Sequence, residues 1–221
     1  MSTRLLKSAL PAALCARWLS LCGPGDGVSR PLPALTRLPA AEVLRAVAAS
    51  TLRPSIEDVL GPTPLCDTSQ SWLRHGRPPH SWHQDGALCF DFIAHAGQPL
   101  PAGAMLEMLT CWIALTPCGE FAPGLEWVDA PQPVLLRPAE LSDAAVAACH
   151  HSALLRRPSM APGDTLLFGG EVLHRTHLTA EMSQPRSSLE LRFFCAIDPP
   201  HRLVGDRLLP LAGEPGAGPA A

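Results

Sequence analysis

The sequence predicts a mainly β protein: a jelly-roll or cupin-like barrel buttressed by helices at its N-terminal side. Three observations lead there. Apolar residues recur at helical spacing only over about the first 60 positions. From about residue 70 the chain breaks into short β-prone runs punctuated by Pro, Gly and Asp. The last run alternates a polar set (Arg186, Ser188, Glu190, Arg192) with a set led by Leu189, Leu191 and Phe193. Such a strand is half-buried, with its polar face toward a lumen and its apolar face beneath the helices. Helices first and many short strands after define the architecture.

Taken in order, Leu5, Leu6, Leu14, Trp18, Leu19 and Leu21 give a helix over 3–21, restarted by Pro11 at a first-turn position. Gly and Pro make 22–33 a loop. Val43, Leu44 and Val47 share one face of a second helix over 39–50, with Thr36 as its cap. A short helical turn follows at 55–60. Strands are expected over 70–73, 87–93, 105–115, 134–136, 165–168, 172–178 and 187–196, with an Ala-rich helix at 139–150 among them. One domain is expected over 1–211, helical over about 1–60 and barrel over about 70–197. The Pro-, Gly- and Ala-rich 212–221 is expected to be disordered.

Composition narrows the function classes. The 221 residues carry a net charge of −3, which points to neither a nucleic-acid nor a membrane-surface partner. No apolar run reaches the roughly 18 residues of a membrane span. The N-terminal stretch is interrupted by Pro11 and Arg17 and does not read as a secretory leader. The eight cysteines form no C-x-x-C pair and sit mostly in apolar runs, as reduced, buried thiols do. The expectation is a cytoplasmic protein with a small-molecule substrate; the sequence leaves the oligomeric state open.

The chemistry centres on Ser81-Trp82-His83-Gln84-Asp85-Gly86. Two residues apart on an extended segment, His83 and Asp85 point to one side. A second histidine would complete a 2-His-1-carboxylate triad, which holds Fe(II) and leaves coordination positions open. Leu173-His174-Arg175-Thr176-His177 offers it. A regular strand allows His174 or His177, but not both, and Gly169-Gly170 just before invites a bulge. The polar face of the last strand offers Arg186 or Arg192 to a carboxylate, which arginine binds bidentately. Strand parity does not separate these two. The remaining histidines, His75 and His80 among them, read as solvated.

These residues carry a family resemblance. His83-Gln84-Asp85-Gly86, Trp112-Ile113-Ala114-Leu115, Gly119 with Pro123-Gly124, Gly163-Asp164-Thr165-Leu166-Leu167-Phe168, His174-Arg175-Thr176 and Arg186-Ser187-Ser188-Leu189 occur in the order seen in the phytanoyl-CoA dioxygenase family. Over about 70–194 the chain resembles these enzymes, which are Fe(II)- and 2-oxoglutarate-dependent oxygenases on a double-stranded β-helix. The resemblance implies His83, Asp85 and His174 as iron ligands, and Arg186, assisted by Thr176, as the partner of the distal carboxylate of 2-oxoglutarate. It implies Trp112 as an aromatic beside the cosubstrate, and Gln70 and Arg77 as polar and basic positions on the preceding strand. Fe(II), 2-oxoglutarate and O2 would then serve hydroxylation of an amino acid or secondary metabolite, with release of succinate and CO2. One departure stands out: Leu125-Glu126 follows Pro123-Gly124 where the family usually has Ser-His. Two rival readings use the same residues: a non-catalytic metal- or small-molecule-binding barrel, and a zinc-dependent hydrolase.

Overall fold

The computed structural model describes residues 3–23, 29–88, 90–130, 132–200 and 207–212. In chain order, the elements are β1 (Arg4–Leu6), α1 (Ala12–Cys22), β2 (Arg30–Pro31), α2 (Ala40–Ala48), α3 (Leu52–Leu60), β3 (Leu65–Asp67), β4 (Trp72–Gly76), β5 (Leu109–Ala114) and β6 (Gly124–Val128). They continue with α4 (Asp143–Cys149), β7 (Leu155–Arg156), β8 (Thr165–Gly169), β9 (His174–His177), β10 (Arg186–Phe194) and β11 (Leu208–Pro210). A large antiparallel sheet runs β1-β8-β5-β10-β3-β11, with β4 also paired to β10 and β2 to β4. A small sheet runs β7-β6-β9. This is the jelly-roll architecture expected from the alternating strands.

Alternation sorts the side chains of the large sheet onto two faces. Leu109, Cys111 and Ile113 of β5, Leu167 of β8, and Leu189, Leu191 and Phe193 of β10 form one core with the helices. The helices of nine residues (α2, α3) are shorter than the roughly 12–15 that hold alone in water. They persist by burying Val43, Leu44, Val47 and Ile56 in that core, each worth about 1.5–3 kcal/mol. The opposite face brings Trp112, Ala114, Leu166 and Phe168 against Leu125 and Trp127 of the small sheet. Between the sheets, Arg186, Ser188, Glu190 and Arg192 are buried. Among the described residues, no helix is long and apolar enough to cross a membrane.

Several expected elements differ. The expected helix over 3–21 is a strand at its start, because β1 pairs with β8 (Arg4↔Leu167). The buried Asp164 then takes hydrogen bonds from Lys7 Nζ (2.7 Å) and the Ser8 amide (2.8 Å), and Ser8 adopts φ 49°. The helix starts only after Pro11, which occupies its N-cap position. Pro39, not Thr36, is the N-cap of α2, and the turn at 55–60 is the end of the longer α3.

Among its described residues, the 87–93 run contains no strand. Asp91 accepts the amides of Ile93 (2.9 Å) and Ala94 (3.0 Å), an Asx turn that competes with extension. The 134–136 run is irregular as well. Its backbone is held by the Gln84 amide, which accepts from the Leu136 N–H (2.7 Å) and donates to the Val134 carbonyl (3.1 Å). Conversely, β6 was not expected. Its buried Glu126 reads as a surface residue until Arg175 and Arg157 are seen to pair with it. The 139–150 helix divides into a 3-10 turn (Pro138–Leu141) and α4, capped by Ser142. Residues 213–221 and Cys89 lie outside the described residues.

Candidate metal centre

Two backbone hydrogen bonds place the histidines together. The His83 amide donates to the His174 carbonyl (2.9 Å), and the His174 amide donates back to the His83 carbonyl (3.0 Å). The segment before β5 thereby joins the small sheet beside β9. The anticipated bulge at Gly169-Gly170 is the crossing from the large sheet (β8) to the small one (β9). Asp85 leaves the extended path and opens a 3-10 turn (Asp85–Ala87). Gly86 is required here: a methyl group on it would lie 2.5 Å from Met105 Cγ and 2.9 Å from the Gly170 carbonyl oxygen. Its amide instead donates to that oxygen at 2.9 Å, which fixes Asp85 at the crossing.

The result is a compact donor set. Asp85 Oδ1 lies 3.7 Å from His83 Nε2 and 4.0 Å from His174 Nε2, and one ligand atom from each residue lies within 4.8 Å of the others. Each imidazole donates from Nδ1 to a carbonyl, His83 to Ser81 (2.7 Å) and His174 to Val172 (2.9 Å). A carbonyl carries no proton, so Nδ1 is the donor and Nε2 is the nitrogen turned toward Asp85. Burial, and then the neighbouring His174, hold the His83 pKa down at about 4, so the ring is neutral at physiological pH. Burial acts to raise the Asp85 pKa, but Arg192 and then the two imidazoles outweigh it, and the carboxyl stays well below its usual range. Two imidazoles and one carboxylate on one side fit a divalent first-row metal with coordination positions left over.

The opposite wall comes from the large sheet. Thr110 donates to Asp85 Oδ2 at 2.6 Å, and Arg192 Nη2 donates to Oδ1 at 2.8 Å. Arg186 donates to the Gly124 carbonyl (2.8 Å) and to Thr176 Oγ1 (3.4 Å), and lies 5.4 Å from the Trp112 ring centroid. The Trp112 indole N–H is buried without a partner. With Arg74, His80, Leu125, Phe168 and Glu190, the side chains of Thr110, Trp112, Thr176 and Arg186 line a recess that includes the His83–Asp85–His174 set.

The structure separates residues that parity could not. His174 lies in the recess, whereas His177 is on the other face of β9, outside it. Arg192 is committed to Asp85, and Arg186 faces Thr176 and Trp112. Two expected positions fall elsewhere. Gln70 is in the 3-10 turn Thr68–Gln70, not on a strand, because Asp67 caps that turn through the Ser69 and Gln70 amides. Its side chain does not line the recess; its backbone carbonyl accepts from Arg192. Arg77 is exposed beyond the end of β4, after Gly76 turns the chain with φ 97°. His80 is exposed, as expected, and stands at the rim, 5.7 Å from the His83 ring, with Nε2 2.8 Å from Arg74 Nη1. His75 bonds Ser187 Oγ. Thr110 and Arg74 were missed, although strand parity with Trp112 was a usable signal for Thr110.

No protein-family model matches the chain, and no curated protein matches it, so the resemblance to the phytanoyl-CoA dioxygenase family rests on the motif order alone. Solved structures do match in fold. The carbocyclase SnoK of nogalamycin biosynthesis, described as non-heme and alpha-ketoglutarate dependent, superposes with TM-score 0.66 at 14% identity, over 96% of this chain and 92% of that one. EctD from S. alaskensis, solved with 2-oxoglutarate and 5-hydroxyectoine, gives 0.63 at 13% identity, over 89% and 73%. HygX from Streptomyces hygroscopicus, with iron bound, gives 0.63 at 14%, over 90% and 84%. At such identities the likeness is one of fold, and it extends over nearly all of this chain.

Proposed function

We propose that this chain is an Fe(II)- and 2-oxoglutarate-dependent dioxygenase that acts on a small molecule, with hydroxylation as the default outcome. The observation that carries this reading is the state of Arg186. Of the arginines at the recess and its metal-ligand set, Arg74 pairs with Glu190, Arg175 with Glu126 and Arg192 with Asp85. Arg186, buried beside the metal-ligand set, is held by two neutral acceptors, the Gly124 carbonyl and the Thr176 hydroxyl. A buried guanidinium is costly without a counter-charge. A dicarboxylate reaching from the metal to Arg186 supplies one. A non-catalytic barrel or a zinc hydrolase on the same triad leaves it unsupplied.

In this reading His83, Asp85 and His174 hold the iron. Arg186 and Thr176 take the distal carboxylate of 2-oxoglutarate, and the orphaned indole N–H of Trp112 gains an acceptor. Iron with 2-oxoglutarate supplies the oxidising power from O2, releasing succinate and CO2. The protein orients the substrate and keeps water out, with Phe168, Leu125 and Trp112 forming the apolar part of the wall. The solved structures of similar fold include the carbocyclase SnoK, the epimerase SnoN of nogalamycin biosynthesis and an EctD structure holding 5-hydroxyectoine. The same reading therefore accommodates ring closure or epimerisation through a different substrate placement. The working unit is one domain over 1–211, with a small-molecule partner and neither nucleic acid nor membrane.

The test is oxygen consumption and succinate formation with Fe(II) and 2-oxoglutarate against a panel of free amino acids and secondary metabolites. Substrate-stimulated succinate, absent from His174→Ala, is expected. Hydrolysis of a panel compound with zinc and without 2-oxoglutarate would overturn the reading.

A further inference from the structure

The ion pair between Arg192 and Asp85 is placed where it acts on the metal rather than on the fold alone. Both side chains are buried, and the guanidinium contacts Oδ1, the same oxygen that faces the two imidazoles. Thr110 holds the other oxygen, so the carboxylate is gripped at both ends and is left to bind a metal through one lone pair of Oδ1. Arg192 is itself anchored, by the Gln70 carbonyl and by Glu190 Oε2 at 3.9 Å, and it cannot swing away cheaply from a buried site.

We propose that Arg192 is a positioning residue that fixes Asp85 as a monodentate ligand and partly cancels its charge, so that a divalent cation at the triad is held more loosely and is harder to oxidise. The proposal rests on the metal-site reading above. Its physical basis is that a cation bound at Oδ1 sits within a few ångströms of the guanidinium, and like charges at that range in a dry recess repel strongly. Thr110 still orients the carboxylate when Arg192 is removed, so repulsion, not loss of orientation, decides the sign. The same positive charge favours Fe(II) over Fe(III) and would keep the resting site reduced.

The test is calorimetric titration of the metal-free protein with Co(II), without 2-oxoglutarate, together with the Fe(III)/Fe(II) potential of the iron-loaded protein. Arg192→Met is expected to bind Co(II) at least about tenfold more tightly and to show a lower potential. Arg192→Lys, which keeps the charge, stays close to the wild type in both. Arg192→Gln, which keeps a neutral donor to Oδ1, follows Arg192→Met and serves if that variant does not fold. Unchanged or weaker Co(II) binding by the neutral variants overturns the proposal while leaving the metal site intact. Failure of the wild type to bind Co(II), with a titration indistinguishable from that of His174→Ala, overturns the metal-site reading itself and this proposal with it.

Discussion

His83 and His174 exchange both backbone hydrogen bonds, at 2.9 and 3.0 Å, and this single bridge sets their ring centroids 4.2 Å apart. Nearly a hundred residues separate them in the chain. The side chains meet because His83 forms an isolated antiparallel bridge to the first residue of β9. With Asp85 held at the adjacent crossing by the Gly86 amide and by Thr110 and Arg192, the three donors are brought to one side of the recess.

His83→Ala, Asp85→Ala and His174→Ala should each abolish binding of a divalent cation while the protein remains folded. His177→Ala should retain it, since His177 faces away from the recess. Calorimetry on the four variants decides. Metal binding by His174→Ala together with its loss in His177→Ala would reassign the ligand.

Arg186→Ala should weaken 2-oxoglutarate binding more than a hundredfold at saturating metal. The loss of one side of a buried charge pair costs on the order of 3–5 kcal/mol. Arg192→Ala should change it much less, because that guanidinium is already committed to Asp85. Titrations of both variants would show the roles reversed if Arg192→Ala carried the larger penalty.

The metal-free protein should lose stability as pH falls from about 6.5 to about 4. In that window an unfolded His83 takes up a proton and the folded one, with its pKa held at about 4, does not. Protonation therefore favours unfolding, and the contribution is fully present only above the unfolded pKa. A third of the His83 side chain is exposed, so the effect is about 1–2 kcal/mol rather than the full value of the shift. Urea unfolding at several pH values checks it, and His83→Gln should flatten the slope.

Gly86→Ala should destabilise the fold by about 1–3 kcal/mol, because the added methyl meets the Gly170 backbone as well as Met105. Metal affinity should fall with it, since relief of the clash displaces Asp85. Thermal unfolding and Co(II) titration on one preparation test both halves.

What the sequence made legible follows from periodicity. The alternation in β10 placed Arg186, Glu190 and Arg192 toward the lumen, and the helical face of 39–50 was visible because its apolar spacing is regular. What it hid was set by tertiary pairing. Strand β1 exists because β8 offers an edge, and β6 carries a glutamate whose arginine partners come from elsewhere in the chain. Asp91 turned an apolar run away from extension. The division of labour between Arg186 and Arg192 was beyond parity, since both point inward and only their distances to Asp85 and Thr176 distinguish them.

The most direct measurement is the visible absorption of the protein loaded anaerobically with Fe(II), before and after 2-oxoglutarate. Simultaneous binding of both predicts a new charge-transfer band that saturates at one equivalent of 2-oxoglutarate, is lost in His174→Ala, and needs far more 2-oxoglutarate in Arg186→Ala. Iron binding with no band at any 2-oxoglutarate concentration would contradict the account.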